Sequence, residues 1–292
     1  MLAGQPLPGQ RNIPPLRPTG APKNLEGSGL GTLTPTAPLG PGIWLVQDEA
    51  GNEYVLKQGA VAEDVFPAEA AGLRALAETG TVSAAHVLWA SSDTLVQPYY
   101  PTQAPTPAYW ARFGRQLAAL HLRPAPGFGF EQDTYCGASP QPNPRYRDGH
   151  RFFAEQRLLF QGRRAHDRGL LNSREMSSLE KLAADLENRI PTQPPSLIHG
   201  DLWAGNHLCY RDRPVLIDPA AHWGWAEVEL AMTRLFGGFP QRFYDAYIEL
   251  NPLQPAWQER LALYNLYHLL NHLNLFGGSY HAQVTAVLQH YC

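Results

Sequence analysis

Leu197-Ile198-His199-Gly200-Asp201-Leu202-Trp203-Ala204-Gly205-Asn206-His207-Leu208, followed by a turn at Arg211-Asp212-Arg213 and then Pro214-Val215-Leu216-Ile217-Asp218-Pro219, is the densest run of chemistry-bearing residues in the chain. Apolar residues around the turn predict two short strands, with a glycine-containing loop ahead of them. An Asp followed five residues later by an Asn, and then by a strand that ends in a second Asp, suits phosphoryl transfer. Asp201 can accept the proton of an attacking hydroxyl. Asn206 and Asp218 offer the hard oxygen atoms that magnesium requires, and would hold it against nucleotide phosphates. A lone His-x-Asp or Asp-Pro occurs in many structural turns, so the inference rests on the strand-loop-strand setting and the spacing together.

Upstream, Gly42-Ile43-Trp44-Leu45-Val46 and Glu53-Tyr54-Val55-Leu56-Lys57 flank the turn-rich Asp48-Glu49-Ala50-Gly51-Asn52, which predicts a β-hairpin. Residues 67 to 79 form the next expected element, a helix opened by Pro67 with Leu73, Leu76 and Ala77 on one side. Thr94-Leu95-Val96-Gln97 is a further strand, stopped at Pro98-Tyr99-Tyr100-Pro101. Lys57 stands at the end of an apolar strand, and Glu69 on the helix after it. With two aspartates and an asparagine downstream, these two supply a phosphate-neutralising lysine and the glutamate that fixes its rotamer.

Beyond residue 101 the pattern turns helical. Thr106 and Pro107 open a helix with Trp110, Phe113, Leu117 and Leu120 on its core face, and Ser173 is the expected cap of a second helix, stopped by Pro191. A third starts near Ala226 and ends at Gly237-Gly238; a fourth runs from about Trp257 to Phe276 and also closes on a glycine pair. The expected fold class is therefore α+β in two lobes, a small sheet-rich lobe over residues 29–101 that binds nucleotide and a mostly helical lobe over 102–292 that carries catalysis and substrate. Residues 1–28, dense in proline and glycine, are expected to form a flexible tail.

Composition excludes several classes. The formal net charge is −3 with both signs mixed along the chain, which gives no electrostatic footprint for nucleic acid or for an anionic membrane. No apolar stretch approaches the roughly 18–20 residues that span a bilayer, and no secretory leader is evident, so a cytoplasmic protein is expected. Cys136, Cys209 and Cys292 show no C-x-x-C spacing. His268 and His272 lie four apart without the glutamate of an H-E-x-x-H motif, and are expected to be packed helix histidines.

The stretch His199-Gly200-Asp201-Leu202-Trp203-Ala204-Gly205-Asn206, together with Asp218-Pro219-Ala220, resembles the signature of the fructosamine and ketosamine-3-kinase family, whose members share the protein-kinase-like fold with aminoglycoside and choline kinases. Similarity continues through Phe236-Gly237-Gly238-Phe239-Pro240, Leu263 to His272 and Asn274-Leu275-Phe276-Gly277, so that it spans about residues 33 to 290. The resemblance implies Asp201 as proton acceptor, Asn206 and Asp218 as magnesium ligands, Lys57 with Glu69 at the phosphates, and Pro98, Tyr99 and Tyr100 as a hinge that meets adenine through backbone groups. It implies ATP and Mg2+ as cofactors, and a small-molecule ketosamine or a glycated protein as substrate. Glu227 and Glu229 match an acidic pair of the family, Glu227 as a substrate candidate and Glu229 as a support of the catalytic loop. Gly127 to Phe130 and Ser139 to Asn143 match a loop near the sugar site. Trp203 and Trp223 are candidates to offer an apolar ring face to the sugar or its amine, the alternative for each being a place in the core.

Two features depart from the family pattern. Pro38-Leu39-Gly40-Pro41-Gly42 stands where a flexible glycine-rich phosphate loop is usual, and neither proline has an N–H to give a phosphate. Trp225 stands where the family has a histidine. Two further readings stay open from sequence: a kinase of another small hydroxyl compound such as an aminoglycoside, choline or a sugar, and a nucleotide-binding pseudokinase scaffold.

Overall fold

A computed structural model describes residues 29–59 and 62–292; the tail expected over residues 1–28 lies outside them. The first lobe contains β1 (Thr34–Gly40), β2 (Ile43–Gln47), β3 (Glu53–Gln58), α1 (Val65–Glu78), β4 (Ser83–Ala84), β5 (Trp89–Ala90) and β6 (Thr94–Pro98). Five of the strands make one antiparallel sheet in the order β1-β2-β3-β6-β5. Asp48 explains the β2–β3 turn: its carboxylate accepts the amides of Ala50 and Asn52 at 3.0 and 2.8 Å and so closes the loop. Val46, Leu56 and Val96 are buried under the sheet with Leu33.

The segment expected to act as a phosphate loop is mostly strand. Pro35 and Pro38 belong to β1, where they are tolerated because β1 is an edge and its register shifts beside both of them. Only Pro41 and Gly42 form the turn. Gly42 has φ 69°, and a Cβ there would lie 2.4 Å from the Gln58 carbonyl oxygen, so glycine is required for the turn to close onto β3.

The second lobe begins with α2 (Pro107–His121), capped by Thr106, whose hydroxyl accepts the Tyr109 amide at 3.1 Å. The hairpin β7 (Thr134–Cys136) and β8 (Ser139–Gln141) follows, then α3 (Gly149–Phe153), a π-helical turn over Ala154–Leu159 and α4 (Phe160–Asp167). The π turn delivers Arg157 into the interior, where it donates to the Pro142 carbonyl and the Asn143 Oδ1 and anchors the chain behind the hairpin. Next is α5 (Ser173–Ala184). Its cap is Asn172 rather than the expected Ser173, because Asn172 and Glu175 form a reciprocal capping box. After α6 (Leu186–Arg189) come β9 (Ser196–Ile198), β10 (His207–Tyr210), β11 (Arg213–Leu216), β12 (His222–Gly224), α7 (Ala226–Leu235), α8 (Gln241–Leu250), α9 (Leu261–Phe276) and α10 (His281–Tyr291). Every residue of α9 from Leu263 to Asn274 is buried, which makes it the central helix of the lobe.

The strands of the second lobe frame the signature stretch. β9 pairs antiparallel with β12, and β10 with β11 across Arg211-Asp212, both at positive φ as a two-residue hairpin of this hand requires. β11 also pairs in parallel with β4 of the first lobe, Val215 with Ser83 and Leu216 with Ala84. The lobes are thus joined by a ladder immediately before Asp218.

Candidate active site

The loop from His199 to Asn206 is held from below by buried polar groups. Glu229 on α7 accepts the His199 amide at 2.7 and 3.0 Å and contacts His121 Nε2 at 2.9 Å; His121 Nδ1 in turn meets the Tyr247 hydroxyl at 2.7 Å. The His199 ring reaches the Ile217 carbonyl at 2.8 Å, which ties the loop to the strand that carries Asp218. Gly200 has φ 82°, and a Cβ on it would lie 2.2 Å from the Ala220 carbonyl, so the two halves of the signature touch backbone to backbone.

Asp201, Asn206, Asp218, Lys57 and Glu69 then converge on one cleft of about 330 Å³. Asn206 donates its Nδ2 to the Asp201 carbonyl at 2.8 Å and to Asp201 Oδ2 at 3.1 Å. With the nitrogen so engaged, Asn206 keeps its Oδ1 as the atom able to bind a cation. Asp218 sits at φ 55° just after β11, its Oδ1 bonded to Lys57 and its side chain 40 % exposed to the cleft. A carboxylate and an amide oxygen side by side are the donor set that a hard divalent cation fits. Lys57 Nζ also donates to Glu69 Oε1 at 2.6 Å, which joins β3 and α1 of the first lobe to the second-lobe aspartate.

The electrostatics of these groups differ. Burial disfavours the Lys57 charge, but Asp218 and Glu69 outweigh burial and hold its ammonium above the ordinary lysine range. Among the described residues no cation offsets the Asp201 charge: burial, reinforced by the Asp218 charge, pushes its carboxyl up to about 8 against the donation from Asn206. Burial holds His199 below the usual imidazole range, so it serves as a neutral bridge.

Not every expected residue lies here. Trp203 lines the cleft and meets the Phe236 ring edge-on at 6.3 Å. Trp223 does not: β12 points it to the opposite face, into a groove with Arg74, Glu78, Phe130 and Leu197. Glu227 is also corrected. It is 1 % exposed and is taken up by Arg260 at 2.8 Å and the Tyr264 hydroxyl at 2.7 Å. Two positions along a helix turn a side chain by about 200°, so Glu227 faces α9 while Glu229 faces the loop. Trp225 is core, packed against Phe128, His150 and Phe153. Pro98, Tyr99 and Tyr100 lie at the crossing between the lobes: the Tyr99 amide donates to the Glu53 carbonyl at 3.0 Å, and the Tyr100 ring packs on Tyr210 of β10.

The sequence reading missed one wall. Tyr135, Cys136 and Gly137 from the β7–β8 hairpin, and Asn271, His272 and Phe276 from α9, complete the cleft. His272 is therefore more than a packed helix histidine, although it does stack on Tyr280 with ring centres 5.0 Å apart. The available signal was the polar spacing of Asn265, His268, Asn271, His272 and Asn274 along an otherwise apolar helix.

A sheet lobe that presents a lysine–glutamate pair, and a helical lobe that presents Asp201, Asn206 and Asp218 to the same cleft, define a phosphotransferase of the protein-kinase-like class. Within that class the profile of the family described as fructosamine kinase matches residues 41–292. The chain belongs to the fructosamine kinase family. It is 40 % identical over 258 residues to a protein of Synechocystis sp. named "Probable ketoamine kinase", which covers 86 % of each chain. To the chloroplastic protein-ribulosamine 3-kinase of Arabidopsis thaliana it is 32 % identical over 267 residues, 84 % of this chain and 77 % of that protein. The crystal structure of a candidate fructosamine-3-kinase from Thermobifida fusca superposes with a TM-score of 0.81 at 36 % identity, covering 89 % of this chain and 92 % of that one.

Proposed function

We propose that this enzyme transfers the γ-phosphate of ATP to a sugar hydroxyl of a ketosamine, with Asp201 as proton acceptor. The observation that supports it most strongly is the meeting of Lys57, Glu69, Asp218, Asn206 and Asp201 in one cleft, within a chain of the fructosamine kinase family. Lys57 neutralises non-transferred phosphate oxygens, and Glu69 keeps its side chain extended across the cleft. Asn206 and Asp218 would hold a magnesium ion, which would supply Lewis-acid stabilisation of the phosphoryl charge. Asn206 also orients Asp201 through Nδ2, so that its carboxylate faces the substrate hydroxyl and takes its proton as phosphorus is attacked. Trp203 and Phe236 offer ring faces to the sugar or its amine. Pro98 to Tyr100 form the adenine edge, and the chain divides into nucleotide-binding and catalytic lobes at residues 101 and 102.

Among the described residues no helix is long and apolar enough to cross a membrane, and dependence on ATP supports a cytoplasmic setting. Small ketosamines and glycated proteins are both candidate substrates. The test is ATP consumption by the purified protein with magnesium and a panel of fructosamines, ribulosamines, aminoglycosides and choline, with the phosphorylated hydroxyl located by NMR. Turnover confined to the ketosamines is expected; turnover only with an aminoglycoside or choline, or with nothing despite bound ATP, would overturn the reading.

A further inference from the structure

A thiol, an imidazole and a carboxylate, a mixed donor set that zinc accepts, meet at the floor of the cleft. The Cys136 thiol at the end of β7, a carboxylate oxygen of Asp201 and a ring nitrogen of His268 on α9 all lie within 4.8 Å of one another. Cys136 and Asp201 line the cleft itself. His268 reaches them from behind the loop, where it lines a small internal cavity with Gly200, Arg157 and Trp225. It is 1 % exposed, and its Nδ1 has no hydrogen-bond partner among the described residues. A buried polar atom left without a partner is destabilising, and nothing in phosphate transfer accounts for it here. Burial keeps the His268 ring uncharged, the form in which imidazole ligates a metal.

We propose that Cys136, Asp201 and His268 form an inhibitory site for a thiophilic divalent cation, above all zinc, with water as fourth ligand. Thiolate and imidazole donors select zinc over magnesium, which prefers oxygen and an octahedral shell. A thiolate and a carboxylate offset the two charges of the ion, so the filled site is itself neutral, with Arg157 on one side and Asp218 and Glu229 on the other. On binding, the thiol proton leaves to solvent, as does the Asp201 proton where that carboxyl is protonated; no electron moves. Zinc bonds of about 2.0–2.3 Å place tetrahedral ligand atoms roughly 3.5 Å apart, so the three side chains need close by no more than about an ångström. Asp201, once a ligand, can no longer accept the substrate proton, and the inhibitory part of the proposal rests on that role of Asp201.

Cobalt(II) is the probe, added to the metal-free full-length protein. One equivalent should produce thiolate-to-cobalt absorption in the near ultraviolet together with tetrahedral bands in the visible, and zinc should displace it. Cys136→Ser should abolish the thiolate band, and His268→Gln should weaken binding. Cys292→Ser, which removes the exposed thiol, should leave the spectrum intact. In ATP turnover with magnesium in excess and free zinc clamped by a metal buffer at ten times its dissociation constant, activity should fall about tenfold by mass action and return with a chelator. Against its own zinc-free rate, Cys136→Ser should lose this inhibition. Absence of the band, a band that follows Cys292, or zinc inhibition undiminished in Cys136→Ser would overturn the proposal. Because cobalt binding needs no turnover, an inactive protein that still gives the band would support the metal site and count against the kinase reading.

Discussion

The lysine cluster and the catalytic loop face each other across one cleft, yet burial acts on them in opposite ways. Lys57 is surrounded by Glu69 and Asp218, and its charge is fixed by them at every physiological pH. Asp201 has an amide from Asn206 but no cation among the described residues, and burial leaves it poised between its protonated and charged forms near neutrality. In the proposed mechanism Lys57 holds phosphate oxygens, and such a group gains from a charge that never changes. Asp201 is the proposed proton acceptor, and such a group gains from a pKa near the working pH.

Removing the poised carboxyl is the sharpest way to break this contrast. Asp201→Asn should lower kcat by roughly 10²–10⁴ while nucleotide binding persists, as measured by single-turnover kinetics and ATP titration. The same change should stabilise the protein at pH 8 to 9. Because the folded state binds the Asp201 proton more tightly than the unfolded chain does, the associated stability is fully present below the ordinary carboxylate pKa and is lost as pH rises through about 8. Melting curves of Asp201→Asn and the unaltered protein should therefore converge in acid and diverge in mild base, the variant melting higher.

The opposite manipulation removes the fixed charge. Lys57→Met leaves Glu69 and Asp218 facing each other with no cation between them, and an uncompensated buried charge costs roughly 3–5 kcal/mol. Chemical denaturation should register that loss at neutral pH, and ATP affinity should fall with it. A smaller effect tests the poised group in the intact enzyme: kcat/KM should rise with pH along a limb whose midpoint lies above the ordinary carboxylate range and up to about 8, and Asp201→Asn should lack that limb. Smallest of all, Trp223→Ala should leave the KM for the acceptor within about twofold, since Trp223 faces another groove, whereas Trp203→Ala should raise it by about tenfold, the worth of ~1.4 kcal/mol of ring contact. Equal shifts from both tryptophans would return Trp223 to the substrate side.

Residues whose chemistry is declared by local spacing were legible in the sequence. Asp201, Asn206 and Asp218 stand within one strand-loop-strand unit, and Lys57 ends a strand of plain hairpin pattern. Glu69 was legible only through its place on the helix after that strand. The cleft wall from Cys136 and His272 was not, because it forms by packing of a hairpin and a helix more than a hundred residues apart, and each looks locally like ordinary structure. Helix phase explains the error at Glu227, which shares the acidic pair with Glu229 but turns to Arg260. Strand alternation explains Trp223. The edge position of β1 explains why Pro38, one of the two prolines that argued for an altered phosphate loop, sits in an orderly strand, while Pro41 lies in the turn that follows.

The parallel ladder between β4 and β11 has a practical corollary for anyone wishing to divide the molecule. A gene split between residues 101 and 102 would leave Ser83 and Ala84 on one polypeptide and Val215 and Leu216 on the other, so β4 would lose its partner strand and β11 would become a raw sheet edge. Co-expressed, the fragments should find each other through that edge and restore the Lys57–Asp218 contact, which makes this cut a natural site for a reporter that senses when the two halves are brought together.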